Sequence, residues 1–495
     1  MSSGIFRTKS IEQTMQDTEK PEHQLKKNLG ALDLIVFGVG VSVGAGIFVL
    51  TGQAAASNAG PAIALSFLIA GLGCGLAALC YAELASSVPA AGSAYTYTYA
   101  TMGELLAWII GWDLILEFTV GAAALATSFS QYLGVILEGT PFAIPPAIAT
   151  VEEGYLNLPA GLLVIGLTIV LISGVKLTSR INQVVTGIKV LVVLTVIIVG
   201  AFFVNVANWS PFIPPAEAAP ESAGGALHLP LVQTLFGLEP SVYGVGGVFA
   251  AAAMVFFAFI GFDVVATTAE ETRNPQRNLP IGIFGSLAIV TLLYMAVSLV
   301  ITGMQNYQDI DPEDGAPLAA AFVSVGLPIM AKLIAIGACI GLIVVCMILF
   351  LGQTRVGFAM ARDHLLPAAL AKTHPRFGTP YRFTIIAGIP ITILATFVPL
   401  STLAELVNIG TLAAFILVSI GVIVLRKSRP DLKRSFRVPW VPVLPIASAL
   451  ICFYLMLYLS LETWIRFVIW LALGFLVYFT YSRKHSRLNT MEEKR

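Results

Sequence analysis

Residues 32–50 read LDLIVFGVGVSVGAGIFVL, an apolar stretch with Ser42-Val43-Gly44-Ala45-Gly46 near its centre. A membrane span takes roughly 20 residues, so this cluster falls about at the bilayer midplane. Glycine and serine there let a helix unwind. Unwound backbone exposes N–H and C=O groups that are costly inside a membrane unless something satisfies them. In transporters the partner is commonly a substrate or an ion. Residues 254–269, MVFFAFIGFDVVATTA, carry a second interruption at Gly261 and Asp263. Either motif alone is explained by glycines that let neighbouring helices pack closely. Two interrupted spans at matching places in two halves favour an inverted-repeat transporter.

Composition agrees with a membrane protein. The 495 residues are 57% hydrophobic and 11% charged, with a mean hydropathy of +0.86. A soluble chain carries roughly 25% charged residues. The predicted spans take up nearly all of the length, which leaves no large soluble domain. The formal net charge of zero says nothing about nucleic acid, because the charges are segregated by topology, and no nucleic-acid partner is expected. The polar N-terminus lacks the apolar core of a cleaved signal peptide, so the first span is expected to lead insertion. Cys74, Cys80, Cys339, Cys346 and Cys452 all lie in apolar runs without metal-ligand spacing, and free thiols are expected. The five histidines fall in loops or termini, which argues against haem ligation or a His-based catalytic centre within the membrane.

Hydropathy predicts an all-α polytopic protein of twelve spans, at 32–54, 61–86, 104–134, 159–177, 183–206, 247–269, 280–304, 330–361, 382–399, 403–425, 440–460 and 464–482. With the N-terminus inside, all of the 28 Lys and Arg except Lys189, Lys332 and Arg466 fall in inner segments. The outer loops are acidic. This asymmetry predicts cytoplasmic termini. The expected organisation is a cytoplasmic segment 1–31, a first repeat of spans 1–5 at 32–206, and an extracellular loop at 207–246. A second repeat of spans 6–10 follows at 247–425, then spans 11–12 at 426–482 and a cytoplasmic tail at 483–495.

The backbone suggests the ligand. If span 1 unwinds near Gly44, its outer half begins near Ala45–Ile47, where free amides and the positive helix end favour a carboxylate. The inner half ends near Val41–Val43 with carbonyls that favour an ammonium. Span 6 contributes further carbonyls near Phe257–Ile260. An α-amino acid backbone matches both ends.

Several segments carry a resemblance: VGAGIFVLTG at 43–52, AGPAIALSF at 59–67, YAELASSVPAAGSAYTYTYATMGELLAWIIGWDLILE at 81–117, FFAFIGFD at 256–263 and EETRNPQRNLPIGI at 270–283. Through them the chain resembles the amino acid–polyamine–organocation transporter superfamily, and within it the cationic amino acid transporter family as a bacterial member. The resemblance implies a LeuT-like fold, a 5+5 inverted repeat with broken helices 1 and 6. It implies that Gly44, Ala45 and Gly46 hold the substrate carboxylate. The carbonyls of Ser42, Phe257, Ala258 and Ile260 would lie near the amino group.

Side chains add detail. Lys189 lies about two turns into span 5, where an ammonium is costly unless it snorkels or is paired. Snorkelling to the cytoplasmic face is one reading. The other is a buried ammonium that exchanges its proton during transport. The resemblance sets it against the unwound part of span 1, where sodium-coupled relatives bind a cation. Tyr294 in span 7 is expected to direct its hydroxyl at the site and is grouped with Lys189 in proton coupling. Asp113 and Glu117 share a face of span 3. Asp113 is read as a structural hydrogen-bonding group, and Glu117 matches an acidic position beside the substrate in the resembled family. Asp263 is read as a helix cap, Glu270 and Glu271 as a gate or ion-pair cluster, and Glu83 as a partner for loop backbone. Met347 in span 8 corresponds by resemblance to a residue lining the side-chain pocket, although core filling is as common a use of Met. A thioether there suits small or apolar neutral substrates such as alanine better than arginine or lysine.

The reading is therefore a proton-coupled symporter of L-amino acids working by alternating access in the cell membrane. An exchanger, or a cationic amino acid or polyamine carrier on the same scaffold, is the alternative. An intramembrane enzyme lacks a polar catalytic set in the spans, a channel lacks charged rings, and nucleotide-driven transport lacks a GxxxxGK[ST] segment. No cofactor or metal is expected. The expected partners are an amino acid substrate, protons and the lipid bilayer, with a small single-span membrane protein as a further candidate.

Overall fold

The computed structural model describes residues 29–87, 93–151, 154–174, 179–218, 225–237, 239, 241–262, 265, 268, 272–432, 434 and 436–492. Asp263, Glu270 and Glu271 lie outside the described residues. Among those described, the main helices are α1 (Ala31–Ser42), α2 (Ile63–Ser87), α3 (Ser93–Thr101), α4 (Glu104–Leu137), α5 (Leu158–Ile172), α6 (Ser179–Ala201) and α7 (Gly244–Val255). Then come α8 (Pro275–Met304), α9 (Pro328–Arg362), α10 (Tyr381–Phe397), α11 (Leu400–Ser428), α12 (Val443–Met456) and α13 (Leu461–Val477).

Among the described residues, seven helical stretches are long and apolar enough to cross a membrane, and five shorter apolar helices accompany them. Two of the shorter ones, Ala31–Ser42 and Gly244–Phe259, are the first halves of the interrupted spans. The helix starts follow local chemistry. Gly30 donates its amide to Asp33 Oδ2 at 2.9 Å, Asn157 Oδ1 caps the Ala160 amide at 3.2 Å, and Ser460 Oγ caps Thr463 at 3.3 Å. Proline opens α8 and α9, where its missing N–H costs nothing.

The helices pack in two groups. In one, α8 lies along α1 and α2, and α7 packs on α2. In the other, α9 lies along α4, and α10 packs on α5 and α4. The helix α6 touches α1, α8 and α9, while α11 bridges α4, α2 and α12. The helix α13 is held to α4 by tryptophans: Trp112 and Trp470 stack at 4.5 Å, and each indole N–H donates to the other's carbonyl, at 2.9 and 3.2 Å. The long loop after α6 holds a two-residue antiparallel ribbon, β1 (Glu217–Ala218) with β2 (Ser241–Val242), in register Glu217↔Val242 and Ala218↔Ser241. All five cysteines are buried free thiols.

Candidate functional site

The helix α1 stops at Val43, whose amide still donates to Val39 at 3.0 Å but whose backbone is extended, with ψ of 92°. The chain resumes as a π-helix at Gly46–Leu50, passes through Thr51–Ala54 as α-helix, and returns to π at Ala55–Ala59. Such π segments are frequent at functional sites. After the break, Ile47 is the first amide among the described residues to regain a backbone acceptor, Gly44 O at 3.3 Å. The amides of Gly44, Ala45 and Gly46 therefore open the second half-helix, one residue earlier than the Ala45–Ile47 start read from the sequence, and Ile47 is already partnered.

Span 6 breaks beside this point. The helix α7 ends at Val255 and tightens into a 3-10 turn at Phe256–Phe259. The chain then extends at Ile260 and takes a φ of +125° at Gly261. That φ suits only glycine, and a Cβ there would also press on Val41 and the Ser42 amide. Across the interface, a Cβ on Gly46 would collide with the backbone of Ala258. Two glycines thus let the two breaks touch. Phe257 O accepts the Ile260 amide at 3.2 Å, so it is already partnered.

Tyr294 of α8 links the breaks. Its hydroxyl, fully buried, lies 2.6 Å from Ser42 O and 2.8 Å from Ala258 O. A phenol carries one hydrogen, so it donates to one of these carbonyls at a time and leaves the other short of a donor. Lys189 is 1% exposed and does not snorkel. Its Nζ donates to Gly40 O and to Val43 O, the latter at 3.2 Å, the two carbonyls that flank the end of α1. Its stem lies over Gly341 of α9, where a Cβ would collide with it. The carbonyls expected to await a cation are thus partly occupied by the protein's own ammonium.

The remaining candidates are placed unevenly. Gly44 faces Leu125 of α4 and Val345 of α9, at 3.2 and 3.7 Å from where its Cβ would be. Neither residue was singled out from the sequence. Met347, 9% exposed, sits two positions beyond Val345, a step of roughly 200° around a helix, so the two point to different sides. Glu117 is buried in α4 but lies two turns, about 12 Å of rise, from Leu125. It sits between Asp113, which faces Gly410, and Gly121, which faces Leu349. Asp113 departs from the hydrogen-bonding role expected of it. It is 1% exposed, and neither carboxylate oxygen has a partner among the described residues. Opposite it is a glycine, which has no side chain to offer a donor. Glu83 does bond loop backbone: it accepts from Val438 N at 2.7 Å and is clasped by Arg426 at 2.7 and 2.9 Å.

The model of a family described as amino acid permease matches residues 29–479. The chain is 46% identical over 491 residues to the methylthioribose transporter of Bacillus subtilis (strain 168), covering 98% of this chain and 100% of that one. It is 45% identical over 495 residues to the branched-chain amino acid permease BcaP of the same organism, covering 99% and 100%. It is 41% identical over 413 residues to the vacuolar cationic amino acid transporter 2 of Arabidopsis thaliana, covering 83% of this chain and 61% of that one. These relatives carry the names of transporters and permeases, not of enzymes. With two broken helices meeting inside an apolar bundle, and with a match along nearly its whole length, the chain belongs to the amino acid permease family of the amino acid–polyamine–organocation superfamily and is a multi-pass membrane transporter.

Proposed function

We propose that the protein imports small or apolar neutral L-amino acids, such as alanine, across the cell membrane by proton symport with alternating access. The observation that carries this reading is the meeting of the two breaks. Amides of Gly44, Ala45 and Gly46 open one half-helix while carbonyls of Ser42 and Ala258 share a single phenolic hydrogen. A substrate carboxylate suits the first set and a substrate ammonium, with three donors, suits the second. The carbonyl of Ile260, next to the extended turn, completes the ammonium end. Leu125 and Val345 beside Gly44 favour an apolar side chain, and Met347 would extend that surface. Glu117, two turns away, would stabilise the site from a distance. The branched-chain name of one relative agrees with this substrate class. Methylthioribose, named in another, bears neither carboxylate nor ammonium and would leave the opposed helix ends without charged partners.

Lys189 supports proton coupling. Protonated, it ties the end of α1 to α6; deprotonated, it keeps two N–H donors but loses the charge that strengthens both bonds, which loosens α1. Tyr294 carries the same tie to span 6. Twelve spans in a LeuT-like 5+5 arrangement with cytoplasmic termini frame this cycle. The test is uptake into liposomes in sodium-free buffer, with and without an inward proton gradient, of L-alanine, L-isoleucine, L-lysine and methylthioribose. Gradient-driven uptake of the first two supports the reading. Uptake of methylthioribose alone, or flux that needs internal amino acid and ignores the gradient, overturns it.

A further inference from the structure

The connection from α8 to the short helix Pro317–Ser324 folds over two apolar elements. On span 1, the side-chain amide of Gln53 donates to Asp314 O at 3.2 Å. On α4, the side-chain amide of Gln131 lies against Gly315, where a Cβ would collide with it. Gln53 is 5% exposed. Its Oε1 and the Oε1 of Gln131 are both buried, and neither has a hydrogen-bond partner among the described residues. A buried acceptor without a donor is costly, and two of them stand against consecutive residues of one loop.

Asp314 is the group there that can gain a donor. Its Oδ1 accepts the Ala316 amide at 2.8 Å, and its own amide donates to Asp311 O at 3.2 Å. Burial holds the carboxyl above the usual carboxylate range; the Ala316 bond works against this and the Asp311 charge adds to it. The groups facing it include no cation among the described residues. Span 1 presents Gln53, the helix Pro317–Ser324 has no ionisable side chain, and α4 presents Gln131 and the Tyr132 phenol. Asp309 and Glu313, in the same loop, are exposed and acidic. A carboxylate sets further acceptors beside two acceptors, whereas a carboxylic acid has an O–H for one of them.

We infer that Asp314 is a proton-binding site that latches this loop: its carboxyl takes up a proton as the loop seats on span 1 and α4, and the hydrogen goes to the amide oxygen of Gln53 or of Gln131. The sign follows from linkage. With the loop lifted into water the carboxyl titrates at about pH 4, and seated it keeps its proton to a higher pH. Seating is therefore favoured as pH falls below the seated value, and that gain is lost as pH rises above it. That the loop closes the outer side rests on the function proposed above; the latch does not.

The experiment is hydrogen–deuterium exchange of the backbone amides in 310–320, in the protein in nanodiscs, at about pH 5 and about pH 8, with the intrinsic pH dependence of exchange divided out. The wild-type loop should be better protected at the acid pH by about fivefold, the worth of one buried hydrogen bond. Asp314→Asn keeps an oxygen for the Ala316 amide and carries a permanent donor, so its loop should be well protected at both. Lys189→Met should keep the wild-type difference, which separates this site from the ammonium at the end of α1. Equal protection of the wild type at the two pH values, or a difference that survives in Asp314→Asn, overturns the latch. If L-isoleucine uptake is intact, that result spares the transport reading. A difference that depends on Asp314, in a protein that moves no amino acid, keeps the latch and removes the transport reading.

Discussion

On the proton-coupled reading proposed above, removal of Lys189 should separate coupling from binding. Its Nζ serves two carbonyls at the end of α1 and touches neither Ala258 nor the amides of Gly44–Gly46 in its hydrogen bonding. Lys189→Met retains the stem that packs on Gly341 and deletes the ammonium. The expected outcome in proteoliposomes is uptake that no longer responds to external pH, with substrate binding still measurable; a mutant with the wild-type pH profile would make Lys189 a structural cation. On the same reading, the substrate side chain meets Leu125 and Val345 beside Gly44. Val345→Ala opens space beside Gly44 and should shift the uptake ratio towards bulkier substrates, such as phenylalanine over alanine, by about tenfold, the usual worth of a methylene or two in an apolar pocket. Met347→Ser should do the same only if the thioether also reaches that space. A shift in Met347→Ser with none in Val345→Ala would reverse their assignment. Lys189 and Tyr294 were legible in the sequence because a polar atom in an apolar run requires a partner. Leu125 and Val345 were not, since an aliphatic residue in a span looks the same whether it faces lipid, core or ligand. Asp113 was misread for a related reason: its spacing from Glu117 says which face it shares, and nothing about the glycine opposite.

At the level of elements, both breaks were readable because glycine clusters inside long apolar runs have few other uses in a membrane. Their mutual contact was not readable, since Gly46 and Ala258 are far apart in the chain and meet only through folding. That contact makes the three glycine-cluster residues unequal. A Cβ at Gly46 runs into Ala258 backbone, which has no freedom to yield, whereas one at Gly44 meets the flexible end of Leu125. Overpacking of the first kind costs about 1–3 kcal/mol. Gly46→Ala should therefore lower the thermal unfolding midpoint in detergent and abolish substrate binding. Gly44→Ala should fold normally and weaken binding more modestly. Equal stability of the two variants, read by a thermal-shift assay, would show that the half-helices do not touch at Gly46.

Over the whole molecule, the packing pattern is what the proposed twofold repeat would require. With α1, α2, α4, α5 and α6 taken as spans 1–5 and α7 to α11 as spans 6–10, each major contact has a counterpart five spans on. Span 1 lies on span 7 as span 6 lies on span 2, and span 5 meets span 8 as span 10 meets span 3. Spans 1, 2, 6 and 7 then form one body and spans 3, 4, 8 and 9 the other. Alternating access requires these bodies to rock against each other. Two ties hold the second half of span 1: Tyr132 of α4 donates to Phe48 O at 2.6 Å, and Gln53 donates at 3.2 Å to Asp314 O, in the connection between α8 and the helix Pro317–Ser324; on the proposed orientation both lie on the outer side. If the outer side must open to admit substrate, a covalent link at this point should trap the closed arrangement. Gln53→Cys combined with Asp314→Cys supplies the pair, in a chain whose five native cysteines are replaced by alanine, because Gln53 is as buried as they are. Cross-linking with a short bifunctional maleimide should abolish uptake in the double variant and leave both single variants active. Full uptake by the cross-linked protein would mean that the two bodies do not separate at Gln53 and Asp314, and the route to the breaks would then have to pass elsewhere.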